Sequence, residues 1–289
     1  DYCAAYTAEI AKLVQAGSIH ILPDQPDPGS YYLPHHDVTH LDGKGSIRKM
    51  RIVFDCSAPD LNRMSLNDTI RAAENNLPAM NDVLSLFRVG TYAFTCDIVG
   101  FYHRIGLNPD SSARMRFLWK DFNSAKVSTY EFLVNCFGEK NAGYRSIETI
   151  NVHARKFEST HPLEAQVLLK RRFADDLNFS HFDDDVVLNV FINIRDILAS
   201  ANCFLAKICT NSPKLNAFLK PSDKIDSKCF SAEESRVTSA LGIGWEANSD
   251  VLFYKNVDSI INYANSLPAT RKTILSVAPR LYDSLGLLH

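Results

Sequence analysis

Two adjacent carboxylates, Asp175 and Asp176, sit in the run Phe173-Ala174-Asp175-Asp176 between Val167-Leu168-Leu169 and Leu177, and few folds tolerate that arrangement. Residues 167–172 and 177–180 read as the two strands of a hairpin with the acids at its tip. Like charges side by side at an apolar tip repel, so the arrangement is costly unless a cation lies between them. A second strand, Thr91 to Ile98, ends on another carboxylate, Asp97, after the run Tyr92-Ala93-Phe94-Thr95-Cys96. Two carboxylates together with substrate phosphates are the usual hard-oxygen ligands of Mg²⁺. Two such ions roughly 3.5 to 4 Å apart serve in-line phosphoryl transfer. An Asp-Asp pair alone is common and ordinarily lies in a solvated turn; the apolar flanks distinguish this one.

The rest of the chain mixes helices and strands. Tyr6, Ile10, Leu13 and Val14 fall at helical spacing over residues 2–16, with Gly17 placed as a C-cap. Residues 31–39 and 47–55 are rich in strand formers and flank the turn-like Leu41-Asp42-Gly43-Lys44-Gly45; the second strand carries Arg48, Lys49 and Arg51. Residues 62–76 form a polar loop. Helices are expected over 80–87, 141–158 and around Val187 to Leu198, and strands over 116–119, 127–134, 240–245 and 251–254. This order indicates an α+β fold built on an antiparallel sheet.

Bulk properties narrow the class. The 289 residues are 46% hydrophobic and carry a net charge of −2, so a core is affordable and any basic surface must be local. Seven scattered cysteines without a C-x-x-C pair argue against a disulfide framework or zinc finger and favour a reducing compartment. No stretch approaches the ~18 to 20 apolar residues of a membrane span, and a signal-peptide pattern is lacking, so no membrane partner is expected. The chain opens on Asp1 and stops in an apolar run, which reads as a fragment.

Several motifs occur in a telling order: Tyr31-Tyr32-Leu33-Pro34-His35-His36, Arg51-Ile52-Val53-Phe54-Asp55, Ser65-Leu66-Asn67-Asp68, Asp97-Ile98 with Tyr102, Phe173-Ala174-Asp175-Asp176, Asn211-Ser212-Pro213, and Leu241-Gly242-Ile243-Gly244-Trp245. Over nearly the whole chain they resemble reverse transcriptases of the Pao/BEL class of long-terminal-repeat retrotransposons. Arg280 to Leu287 resembles the segment leading into ribonuclease H. The resemblance implies a right-hand polymerase, with fingers, a palm sheet flanked by helices, and a partial thumb or connection. Residues 1–90 would be the entry helix and fingers, 91–235 the palm, and 236–289 the truncated thumb-like segment. It further implies Asp97, Asp175 and Asp176 as catalytic acids holding two Mg²⁺ or Mn²⁺ ions. Tyr102 would lie under the incoming sugar and reject a 2′-hydroxyl, Lys49 and Arg51 would meet the triphosphate, and Gly138 would border the nucleotide. Partners would be deoxynucleoside triphosphates and a primer on an RNA or DNA template. Flanking protease, ribonuclease H and integrase domains are expected in the polyprotein, and the location would be cytoplasmic or within virus-like particles.

Alternatives remain open on the residues alone: a degenerate or co-opted nucleic-acid-binding module with the same fold, or an unrelated metal-dependent phosphohydrolase. After Gly138 the resembled family keeps small residues where this chain has Glu139-Lys140-Asn141, and Ile208-Cys209 replaces a tryptophan after Lys207. Asp183-Asp184-Asp185 reads as a helix N-cap and acidic first turn. His35, His36 and His40 lie on one strand, where neighbours point to opposite faces, so a zinc cluster is not expected. Asn67-Asp68-Thr69 and Asn178-Phe179-Ser180 match the glycosylation pattern, which arises often by chance. Arg114, Arg116, Lys120, Lys170, Arg171 and Arg172 are candidates for following template or primer phosphates.

Overall fold

A computed structural model describes residues 2–23, 25–43, 45–121, 126–224, 237–240, 243–281, 283 and 286. Leu241-Gly242 and half of the closing Arg280-to-Leu287 motif lie outside the described residues. In chain order the elements are α1 (Tyr2–Gln15), β1 (Ile19–Ile21), β2 (His35–Leu41), β3 (Ile47–Phe54), α2 (Leu66–Thr69), α3 (Met80–Phe87), β4 (Tyr92–Ile98), α4 (Pro109–Ser112), β5 (Arg116–Trp119), β6 (Ser128–Phe132) and α5 (Ala142–Arg155). They continue with α6 (Pro162–Lys170), β7 (Arg172–Phe173), β8 (Asp176–His181), α7 (Asp184–Ser200), β9 (Leu205–Thr210), α8 (Pro213–Phe218), β10 (Val237–Ala240), β11 (Ile243–Glu246), β12 (Val251–Phe253), α9 (Val257–Asn265) and α10 (Arg271–Val277). The chain forms two compact units: residues 1–76 with 100–149, and residues 77–99 with 150–289. Helices and sheets are mixed, and every pairing between these strands is antiparallel.

The first unit combines a three-stranded sheet, ordered β1-β6-β5, with the β2–β3 hairpin. Helix α1 stops at Gly17, whose φ of +66° lets Gly17 and Ser18 donate back to Val14 and Leu13. Its core is aromatic, with Phe54 edge-on to Phe117 and Phe132 at 4.8 Å each. The polar loop expected over 62–76 contains a turn of helix: Ser65 and Asp68 cap each other at the start of α2.

The second unit is organised around a four-stranded sheet, ordered β7-β8-β4-β9. Helix α7 lays Val187, Val190, Phe191, Ile194 and Leu198 inward, and Asp183 caps its N-terminus, as the sequence implied. Phe191 meets Phe94 of β4 edge-on at 5.4 Å. A smaller sheet, β10-β11-β12, buries Trp245 against Phe87 of α3 at 5.0 Å.

Two expectations fail here: residues 240–245 are not one strand, since β10 ends at Ala240 and pairs antiparallel with β11 from Ile243, and the acidic hairpin differs in its first arm. The first arm of the acidic hairpin is not a strand from Val167: residues 162–170 are α6, and β7 is only Arg172–Phe173. Pro162 at the helix start and the helix formers Glu164, Ala165 and Gln166 favour α, and Val167 and Leu168 then pack at zero exposure. A short apolar run does not by itself separate the two structures.

Candidate active site

Strand β4 is central in the sheet of the second unit, and its apolar residues Ala93, Phe94 and Cys96 are buried. Its last polar residue, Asp97, lies directly opposite Asp176 on β8. Phe173 pairs with Asp176 across β7 and β8, so Ala174 and Asp175 form a two-residue loop. Ala174 has φ +54°, the left-handed position that such turns usually give to glycine. Asp175 is tied to the sheet through its carbonyl, which accepts from Ile98 N at 2.9 Å. Asp97 and the adjacent pair Asp175-Asp176, far apart in sequence, are thus gathered at one end of one sheet.

Their electrostatics follow from that crowding. Burial, then a hydrogen bond to Asp97 and repulsion from Asp97 and Asp175, pushes Asp176 up to about 7. Burial likewise raises Asp175, helped by the charge on Asp97. Opposing this, Lys207 donates from Nζ to Asp97 Oδ2, and that bond together with the three acids raises its own pKa. Lys207 reaches Asp97 because β9 bulges there: the register shifts between Thr95 and Asp97, and Lys207 has φ +53°. Lys255, just beyond β12, is lowered by burial while the charge on Asp176 acts the other way.

The donor set is hard oxygen and carries excess negative charge, which suits a divalent cation with substrate phosphates completing its shell. Among the described residues no three His, Cys, Asp or Glu side chains already close on a single point as ligands. Here Asp97 is turned to Lys207 and Asp176 shares a hydrogen bond with Asp97. The acids therefore fit a cation in charge and chemistry while being held by each other and by Lys207.

The remaining expected site residues belong to the first unit. Lys49 and Arg51 are exposed on the same face of β3, opposite His40 and Val38 of β2. Arg51 borders a pocket of about 280 Å³ that Glu9, His103 and Phe137 also line. Tyr102 stacks at a tilt on Phe137, ring centroids 4.3 Å apart. Gly138 has φ +98°, and a Cβ there would fall 2.5 Å from the Phe54 carbonyl, so only glycine fits. The charged residues that follow it fold onto the protein. Glu139 is buried against Arg145, Lys140 Nζ donates to the Ile70 carbonyl at 3.1 Å, and Asn141 Nδ2 donates to the Arg71 carbonyl at 2.8 Å.

Other candidates sort themselves. Arg172 is 2% exposed and cannot follow a phosphate backbone, and Arg116 is paired with Glu131 at 2.7 Å; Arg114, Lys120 and Lys170 are exposed. Asn178 is fully buried, which closes it to glycosylation in the folded protein. His35 is held by Tyr6 and by the Leu118 carbonyl at 2.9 Å. Sequence reasoning gave no part in the acid cluster to Lys207, Lys255 or Arg172. The one signal for Arg172 was its place two residues before the turn, at the end of the basic run Lys170-Arg171-Arg172.

No protein-family model and no curated protein matches this sequence. Solved structures of the foamy viral protease-reverse transcriptase are similar. The complex with double-stranded DNA has TM-score 0.61 at 14% identity over 96% of this chain and 46% of that one. A dRH form with double-stranded DNA has 0.60 at 14%, over 96% and 39%, and the complex with an RNA/DNA hybrid 0.60 at 13%, over 96% and 30%. This chain spans less than half the length of those proteins. The likeness is one of fold, a reverse-transcriptase-like assembly of helices and antiparallel sheets. Among the described residues no helix is long and apolar enough to cross a membrane.

Proposed function

We propose that this chain is the polymerase region of a Pao/BEL-class retrotransposon reverse transcriptase, extending a primer 3′-hydroxyl with deoxynucleotides on an RNA or DNA template. The observation that carries this is the meeting of Asp97 at the end of β4 with Asp175 and Asp176 at the β7–β8 turn in a reverse-transcriptase-like fold. In that assignment residues 1–90 are fingers, 91–235 palm and 236–289 a partial thumb in a right hand, flanked in the polyprotein by protease, ribonuclease H and integrase, and acting inside the cell.

Asp97 and Asp175 would be the principal ligands of Mg²⁺ or Mn²⁺, with Asp176 the third acid. Bound ions supply charge stabilisation at the attacking and leaving oxygens. The chain's own side chains do the rest. Lys49 and Arg51 offset the triphosphate charge, the Tyr102 ring blocks a 2′-hydroxyl, and Gly138 leaves room for close approach of the nucleotide. Arg114 and Lys120 would meet nucleic-acid phosphates in a salt-sensitive way.

Primer extension by the purified chain tests the assignment. Incorporation should require Mg²⁺ or Mn²⁺ and fall on the order of 10³-fold or more in Asp175→Asn, as when several kcal/mol of charge stabilisation are lost. Template-primer binding without incorporation under either cation would instead identify a non-catalytic remnant of the same fold.

A further inference from the structure

We propose that Arg172 is the positioning residue of the acidic turn: its buried guanidinium holds the Ala174 backbone in its left-handed conformation and thereby sets where Asp175 and Asp176 stand. This rests on the cation-binding role given above to those acids.

A buried arginine needs a reason, because a neutral side chain could fill the space without taking a charge out of water. Arg172 is 2% exposed and spends its planar fork in three directions. Nε donates to the Leu168 carbonyl of α6 at 3.2 Å, Nη2 to Asn151 Oδ1 of α5 at 2.8 Å, and Nη1 to the carbonyl of Ala174. Asn151 is itself buried, so its end of the clamp is fixed. The third bond matters most. The Ala174 carbonyl belongs to the peptide that enters Asp175, and Ala174 is at φ +54°, where a Cβ is sterically disfavoured. On the other side of Asp175, its carbonyl is held by Ile98 N. Both peptides around Asp175 are therefore fixed, one by Arg172 and one by β4, which sets the direction in which its side chain leaves the backbone. Burial lowers Arg172 to about 10 and Asp175 acts against this, so the guanidinium stays charged at neutral pH. The adjacent Arg171 makes the contrast: only partly buried, it lies over the Phe179 ring at 5.2 Å and takes no part in the turn.

The test measures Mn²⁺ binding by electron paramagnetic resonance on the full chain, with melting temperature as a control and primer extension for kcat and KM. Arg172→Gln should weaken Mn²⁺ binding about tenfold and lower kcat by on the order of 10- to 100-fold, leaving nucleotide KM within about twofold, because turn geometry rather than nucleotide contact is lost. Arg172→Lys keeps the charge without the fork and should fall between. Ala174→Gly added to Arg172→Gln should recover most of the Mn²⁺ affinity, since glycine adopts positive φ without strain. Wild-type Mn²⁺ binding by Arg172→Gln would overturn the inference. So would a double variant that regains thermal stability but not Mn²⁺ affinity. If Arg172→Gln does not fold, Arg172→Lys carries the test under the same outcomes. Asp175→Asn separates the two levels. If the wild type binds no Mn²⁺, or Asp175→Asn binds it equally well, the cation site fails and Arg172 with it. If Asp175→Asn loses the ion and the Arg172 variants do not, only the Arg172 role fails.

Discussion

Asp176→Asn should make the metal-free protein more stable while abolishing its proposed activity. Asp176 stands near 7 in the folded protein, chiefly because it is buried, against 3.8 for an ordinary aspartate. A raised carboxylate favours its protonated form. The native state is therefore unpenalised at pH values below the unfolded pKa and loses stability progressively as pH rises from about 4 to above 7. The rise from 3.8 to about 7 corresponds to an upper bound of about 4 kcal/mol. Asp176 is partly exposed and hydrogen-bonded to Asp97, so solvent screening and coupling bring the expected gain to ~1–2 kcal/mol at pH 8. For a chain of this size that is a rise in Tm of about 2 to 3 °C. Thermal melts of both proteins in EDTA from pH 4 to pH 8 give the answer. The variant's advantage should be near zero at pH 4 and grow toward pH 8, and Mn²⁺ should stabilise the wild type more than the variant. An advantage that is absent at pH 8, or that does not change with pH, would refute the electrostatic account of the cluster.

Three further substitutions probe the same unit. Gly90→Ala places a Cβ 2.2 Å from the backbone of His181, which cannot yield as a side chain tip would, so the unfolding free energy should drop by roughly 3 kcal/mol or more in urea titrations. Asn178 is wholly buried with neither side-chain polar atom bonded; Asn178→Leu should leave stability unchanged or raise it by about 1–2 kcal/mol in the same titrations. Lys207→Gln removes the ammonium that occupies Asp97, and because the lysine end of that pair is largely solvent-exposed, apparent Mn²⁺ affinity without nucleic acid should rise only about two- to fivefold in titrations.

What could be read in advance depended on the physics of each segment. Helix α7 announced itself because five apolar residues recur at helical spacing behind an acidic cap, and α3 and β4 were legible for similar reasons of periodicity and length. The run Val167 to Arg172 misled because a few apolar residues suit a buried strand or a buried helix equally, and Pro162 was the overlooked arbiter. Strand β9 was missed because its bulge at Lys207 breaks alternation, so Leu205-Ala206-Lys207-Ile208-Cys209 shows no period of two. The three-residue β1 is too short to carry any pattern. For the site, Asp97 and the hairpin acids were singled out from strand ends and motif order. Their mutual contact is a matter of sheet register, which no local pattern encodes. The burial of Arg172 was hidden because arginines are usually at the surface, the more so in a basic run such as Lys170-Arg171-Arg172, and only tertiary structure reveals that its acceptors lie on α5, α6 and the turn.

The most direct test is a crystal structure of the chain grown with Mn²⁺, template-primer and a non-hydrolysable deoxynucleoside triphosphate. Two anomalous peaks roughly 3.5 to 4 Å apart are expected beside Asp97 and Asp175, the residues that would hold the ions, with Lys207 displaced from Asp97. Mn²⁺ bound elsewhere, with Asp97 still held by Lys207 and the nucleotide remote from the acidic turn, would contradict it.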